Sequence, residues 1–265
     1  MLGSRYILGL CLCAALALPA FGADISTIRT QLTQGDYAAA YETAENLQTA
    51  DGQALAAESL LSVIMLGQAD KNKKQAKRAR KFAEAALEID PSHQNARLQY
   101  AIADGFITRE ASDMSAWMKK LPQKTHAIVQ AYRDDFPDDP RGDALLGAWN
   151  LAIVRKTGPK NAQKWFGASI DEGQLMFLNA RDKIADDIII ETSYAFALLA
   201  LDDEDLTDAG EAQRVLTRVA SLQPADNLNR VVQGYAKDAL ARIGERDAVR
   251  DYAGMFLDGE APSFD

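Results

Sequence analysis

The chain has 265 residues, 48% hydrophobic and 25% charged, with 29 Lys and Arg against 38 Asp and Glu for a formal net charge of −9. Those figures exclude a disordered chain, a collagen and a disulfide-stapled miniprotein, and the acidic balance argues against general nucleic-acid binding. The length allows one large domain or a solenoid with a substantial core.

Residues 1–22, MLGSRYILGLCLCAALALPAFG, have the three-part form of a secretory signal peptide. Arg5 precedes an apolar run from Tyr6 to Leu18, Pro19 breaks the helix, and Ala20 and Gly22 place small side chains at −3 and −1 of a cut before Ala23. The run is too short for a spanning helix, which needs about 20 residues. Leucines precede both Cys11 and Cys13, where a lipoprotein signal needs a small residue. Cleavage takes the net charge from −9 to −10 and removes both cysteines. A thiol-free chain suits an oxidising compartment. The expected location is the periplasm, without stable membrane insertion after cleavage.

From residue 23 the apolar period is close to 3.6. Helix breaks are expected at Gly35-Asp36, Asp51-Gly52, Asp90-Pro91, Phe136-Pro137, Asp139-Pro140, Gly158-Pro159 and Pro224. Residues 188–201 (IIIETSYAFALLAL) are apolar nearly all round, so this helix is expected to be sandwiched between others, with Tyr194 and Phe196 in the core. Val215, Leu216, Val219, Ala220 and Leu222 make a stripe before Pro224. A longer stripe runs from Leu228 to Ile243, and Val249, Tyr252, Ala253 and Phe256 repeat the pattern. Strand signals are weak, because the β-branched run Ile188–Ile190 passes at once into a helical pattern. The expected fold is all-α, an α-α superhelix of antiparallel helix pairs over residues 23–265.

Two stretches suggest a repeat. Residues 34–47 read QGDYAAAYETAENL, and residues 79–91 read ARKFAEAALEIDP, followed by SHQNARLQYAIADG. Both resemble the tetratricopeptide repeat (TPR). Gly35, Asp36, Tyr37 and Ala40 stand at its turn and first small position; Ala79, Phe82, Ala86 and Pro91 match its second helix and terminating proline. Leu61-Ser62 and Tyr100-Ala101 match the large-small pair of its first helix. Small residues there let helices pack close while large neighbours fill the groove between repeats. Ala40 and Ala79 are 39 residues apart, against a usual period of about 34. The extra length is assigned to the polar stretch around Asp70–Gln75, and Arg97 stands where the family prefers a large apolar side chain. The resemblance covers residues 24–107 well and 108–265 as degenerate helical pairs. Within 137–169, the Pro-x-x-Pro, Leu146-Gly147-x-Trp149 and Phe166-Gly167 are similar to a distant TPR group that includes periplasmic partners of TRAP-type transporters and the regulator-of-microtubule-dynamics proteins. The resemblance implies a TPR-like solenoid.

No catalytic constellation stands out. His93 and His126 lack metal-ligand spacing, and each reads as a surface or capping histidine. TGPK at 157–160 lacks the spacing of a phosphate loop. The clusters Asp134-Asp135 with Asp138-Asp139, and Asp202–Asp205 with Asp208, lack the order of a calcium loop. No cofactor is predicted. The most distinctive charge feature is basic: Lys71, Lys73, Lys74, Lys77, Arg78, Arg80 and Lys81 occur without an acid from Lys71 to Ala83. Such a run reads either as a docking patch for an acidic partner or anionic headgroups, or as a solvated helix face. Trp117, Trp149, Trp165, Phe166 and Phe177 gather mid-chain, as inter-repeat core or as the lining of a groove.

The expected function is that of an exported, non-catalytic adaptor holding a protein or peptide partner. By analogy with TPR proteins, the first helices of the pairs build its concave wall, which would include Ser59, Val63, Asn95, Leu98 and Ile102. The alternative is a small-molecule-binding accessory subunit of an envelope transport system, with a pocket near Trp149 and Trp165.

Overall fold

A computed structural model describes residues 24–184, 186–201 and 210–264, with the side chains of Asp113 and Trp117 excepted. The signal segment, its cut site and the Asp202–Asp205/Asp208 cluster lie outside the described residues. Among the described residues there are 14 helices and no strand.

The helices begin where short polar side chains satisfy orphan amides. Asp24 opens α1 (Ile25–Gln34) by accepting from Thr27 N. Gly35, left-handed at φ 86°, closes α1, and Asp36 opens α2 (Tyr37–Glu45) by accepting from Ala39 N. The Gly-Asp turn is therefore a stop and a start in two residues. The break expected at Asp51-Gly52 falls earlier, at residues 46–49. Thr49 caps α3 (Ala50–Met65), its hydroxyl accepting from Gly52 N at 3.1 Å, so Asp51 and Gly52 form the first helical turn. A carboxylate is favourable there because it faces the positive end of the helix dipole.

Of the polar stretch expected as an insertion, Asp70 and Lys71 lie in the connection and the residues from Asn72 onward are helical. Lys71 stands at the N-cap and Asn72 starts α4 (Asn72–Ile89), which ends at Asp90-Pro91. His93 opens α5 (Gln94–Arg109) through Nδ1, which accepts from Ala96 N at 3.1 Å, the capping role expected for it. Then follow α6 (Asp113–Lys119), α7 (Leu121–Asp135), α8 (Pro140–Thr157), α9 (Pro159–Phe166) and α10 (Ile170–Lys183). The last four are α11 (Ile188–Leu199), α12 (Glu211–Ser221), α13 (Asn227–Ala241) and α14 (Arg246–Leu257). Most contacts join successive helices, and α3 also packs against α5. Among the described residues no helix is long and apolar enough to cross a membrane.

Alanine makes these contacts close. Ala76, Ala79, Ala83 and Ala86, on one face of α4, are completely buried. Helix α11 is the hub, touching α8, α10, α12, α13 and α14. Ten of its residues are buried, including Tyr194 and Phe196, as its all-round apolar sequence requires. Phe196 packs edge-on to Tyr252 and Phe256, and Phe177 stacks on Tyr194 at 4.8 Å.

The two ends of the described chain meet. Helix α1 touches α13, and Tyr37 and Leu66 belong to the same core as α11–α14. The Tyr235 hydroxyl donates to Leu66 O at 3.2 Å, and Tyr37 Oη lies 3.4 Å from Asn227 Oδ1. Burial and Asp226 push the Tyr37 phenol up to about 12, so it stays a neutral donor.

Candidate functional site

The five residues assigned to a concave wall lie on α3 and α5, two helices in contact, but few of them face outward. Ser59 is completely buried and its hydroxyl donates to Leu55 O at 2.8 Å. Leu98 is buried as well. Val63 and Ile102 are half-buried against two different core clusters. Asn95 donates to the Glu58 carboxylate at 2.9 Å and accepts from Gln99 Nε2 at 2.9 Å. Ser59 and Leu98 therefore offer a partner no area. Continued by four residues, the same stripes reach Gly67 and Phe106, where residues 259–261 lie against them.

The basic run divides by helix geometry. Lys74, Lys77, Arg78 and Lys81 project from the side of α4 opposite its buried alanines. Arg80 turns inward: its Nη1 donates to Asp104 Oδ1 at 3.3 Å, and its Nε lies 3.4 Å from Glu84 Oε1. Asp104 is buried and also accepts from Thr125 Oγ1 at 2.7 Å, so Arg80 belongs to the packing of α4 on α5 and α7. Arg78 donates to the Tyr41 hydroxyl at 2.9 Å and lies over its ring. Lys73 donates to Glu110 O at 3.0 Å. Lys71, Lys74, Lys77 and Lys81 are exposed and have no hydrogen-bond or ion-pair partner among the described residues.

A cavity of about 380 Å³ opens among α7, α8, α9 and α10. Its lining includes His126, Gln130, Trp149, Gln163, Phe166 and Glu172. Trp149 is fixed by its indole N–H, which donates to Pro122 O at 2.9 Å, and the His126 ring meets it at 4.5 Å. Burial lowers the His126 pKa, so its imidazole is neutral at pH 7. Trp165 is exposed and outside the lining, Phe177 is core, and the Trp117 side chain is not described. The mid-chain aromatics thus divide between core, cavity and surface.

The chain matches no protein-family model and no curated protein.

Three of the four acids at 134–139 are engaged within the fold. Asp134 accepts from Gln130, and Asp135 pairs with Arg97. Asp139 caps α8 and accepts from Gln94 Nε2 at 2.7 Å, Tyr132 Oη at 2.6 Å and Arg141 Nε at 2.8 Å. Burial alone would raise the Asp139 carboxyl, but the bonds from Arg141 and Tyr132 outweigh it and hold the group well below the usual carboxylate range. Among the described residues no three His, Cys, Asp or Glu side chains gather as a metal site.

Sequence reasoning passed over the buried ion clusters. Glu191, on the hub helix, is 2% exposed and receives Arg181 Nε at 2.7 Å and Nη2 at 2.9 Å; Arg218 pairs with it too. Asp143 is 1% exposed between Arg133 Nε at 2.6 Å and Lys183 Nζ at 2.6 Å. Glu191 had a legible signal: a lone carboxylate in an otherwise apolar helix must find cations or stay neutral. Its partners lie on other helices and had none.

Proposed function

We propose that this chain is an exported, non-catalytic, TPR-like scaffold of the cell envelope that holds an acidic protein or peptide segment along the outer side of α4. The observation that carries the reading is the set Lys71, Lys74, Lys77 and Lys81, exposed and without partners in an acidic chain. Arg80 and Lys73 are engaged within the fold, and so are many acidic groups, among them Asp104, Asp139, Asp143 and Glu191. Unpaired like charges on one rigid helix repel each other, and an acidic segment relieves that repulsion while gaining speed and register in docking. The sequential helix pairs and the residues matching the repeat over 24–107 support the solenoid part of the reading, and the signal pattern supports the periplasm.

The test uses a labelled decaglutamate peptide and fluorescence polarisation. The wild type binds at low salt and releases the peptide as salt shortens the screening length to about 3–8 Å. Lys74→Glu, Lys77→Glu and Lys81→Glu together weaken binding by at least about tenfold with an unchanged melting temperature. Equal binding by the triple variant, or no binding by the wild type at low salt, overturns the assignment. Binding to phosphatidylglycerol vesicles but not to the peptide overturns it in favour of a lipid surface.

A second reading, a small-molecule-binding accessory subunit of an envelope transport system, draws support from the cavity beside Trp149 and the neutral His126. A thermal-shift screen of organic acids tests it. Stabilisation that disappears in Trp149→Ala favours this reading, and the absence of any shift removes it.

A further inference from the structure

The cavity among α7, α8, α9 and α10, about 380 Å³, falls in the range of small-ligand sites, about 300–1,000 Å³. Most polar groups in its lining are already bonded. Asn150 donates from Nδ2 to Leu146 O at 3.0 Å, and its Oδ1 accepts from Ser169 N at 3.2 Å. Gln130 Nε2 donates to Asp134 at 2.8 Å. The Trp149 N–H is held by Pro122 O, so the indole offers its ring.

Two charged groups in the lining keep unused capacity, and they are of opposite sign. On α10, Ser169 and Glu172 have the S-x-x-E spacing of a capping box. The Ser169 hydroxyl accepts from Glu172 N at 3.1 Å, as that motif requires. In a complete box the Glu carboxylate reaches back to the N–H of the capping residue. Here Asn150 takes that N–H, and the exposed Glu172 carboxylate has no hydrogen-bond or ion-pair partner among the described residues. On α7, Arg133 spends only Nε, which donates to Asp143 at 2.6 Å; its two terminal nitrogens donate to no described residue. Asp143 also receives Lys183 Nζ at 2.6 Å, so two cations share one carboxylate and the group keeps a net positive charge. Arg133 and Glu172 line one cavity without pairing with each other. Leu146, Trp149, Phe166 and Met176 add apolar surface, and the neutral His126 adds a ring with no hydrogen-bond partner among the described residues.

We propose that this cavity binds a zwitterionic amino acid with a large apolar side chain, its carboxylate on Arg133, its ammonium on Glu172 and its side chain against Trp149 and Phe166. A guanidinium fork matches a carboxylate through parallel N–H bonds, and an aromatic ring packs favourably on the fixed indole. A ligand with a single charge answers one of the two groups and brings its own charge close to a like one, so the pair of charges discriminates by repulsion as well as attraction. This inference rests on the reading of the cavity as a small-molecule site and adds the class of ligand. It uses no part of the outer side of α4.

The experiment is isothermal titration calorimetry of the purified protein with L-phenylalanine, 3-phenylpropionate and 2-phenylethylamine, which share the ring while the last two each lack one charge. Phenylalanine binds at least about tenfold more tightly than either analogue. Glu172→Gln, at an exposed position, keeps the wild-type melting temperature and brings phenylalanine down to the affinity of 3-phenylpropionate, whereas Trp149→Ala weakens all three. An analogue binding as tightly as phenylalanine, or phenylalanine binding equally to wild type and Glu172→Gln, overturns the proposal; if that binding is still lost in Trp149→Ala, the cavity remains a small-molecule site of another class. No binding of any of the three also overturns it, and the organic-acid screen then decides the broader reading by itself.

Discussion

Glu191→Gln tests whether the hub helix is locked by charge. The substitution keeps the shape but replaces one carboxylate oxygen, which accepts from Arg181 Nη2 at 2.9 Å, with an N–H donor pointing at donors. Removing one member of a buried pair costs about 3–5 kcal/mol because the remaining charge is stranded. Two features lower that figure here. Arg181 and Arg218 retain 20% and 36% side-chain exposure, and Arg181 Nη1 keeps Glu211 Oε1 at 3.7 Å. A hydrogen bond to a charged group is worth about 1.5–3 kcal/mol, so the expected loss is about 2–3 kcal/mol. For a chain of this size each kcal/mol moves the melting temperature by about 2–4 °C, so a fall of about 4–12 °C follows. Urea unfolding followed by circular dichroism measures the loss. A double-mutant cycle with Arg181→Met isolates the pair, with an expected coupling of about 1–2 kcal/mol. A loss below about 1 kcal/mol, or coupling indistinguishable from zero, refutes the claim that these bonds hold α11.

Asp139 should confer an acid limb on stability. Its folded-state pKa is depressed, so the stability it contributes is complete above its unfolded value of about 4 and fades as pH falls toward the folded one. Asp139→Asn should lower stability at pH 7 and flatten the decline between about pH 4 and 2 in urea titrations; an unchanged slope would count against it. Gly147 lies where α8 crosses α10. A Cβ there would stand 2.6 Å from Phe177 Cδ2 and 2.9 Å from Gly173 O. Gly147→Ala should therefore destabilise by about 1–2 kcal/mol despite the helix-propensity gain, read by thermal unfolding, and a stabilised variant would show the crossing to be loose.

The amino-acid sequence by itself determined that the chain is helical and where several of its helices stop. The Gly35-Asp36 turn, Asp90-Pro91, Asp139-Pro140 and Gly158-Pro159 act through backbone sterics and local capping, which need no distant partner. The apolar circumference of 188–201 likewise announced a central helix. Asp51-Gly52 deceived because the same residue types serve a turn and the first turn of a helix, and the Thr49 cap decided between them. The basic run was legible as charge, but its division into Lys74, Lys77 and Lys81 outside and Arg80 inside depended on Asp104, 24 residues away from Arg80. Tertiary structure alone decided that α1 meets α13, that Arg181 and Arg218 converge on Glu191, and that residues 259–261 lie against Gly67 and Phe106. Local propensity is written within a few residues, whereas these meetings depend on the summed crossing angles of many helices, which no short stretch of chain contains.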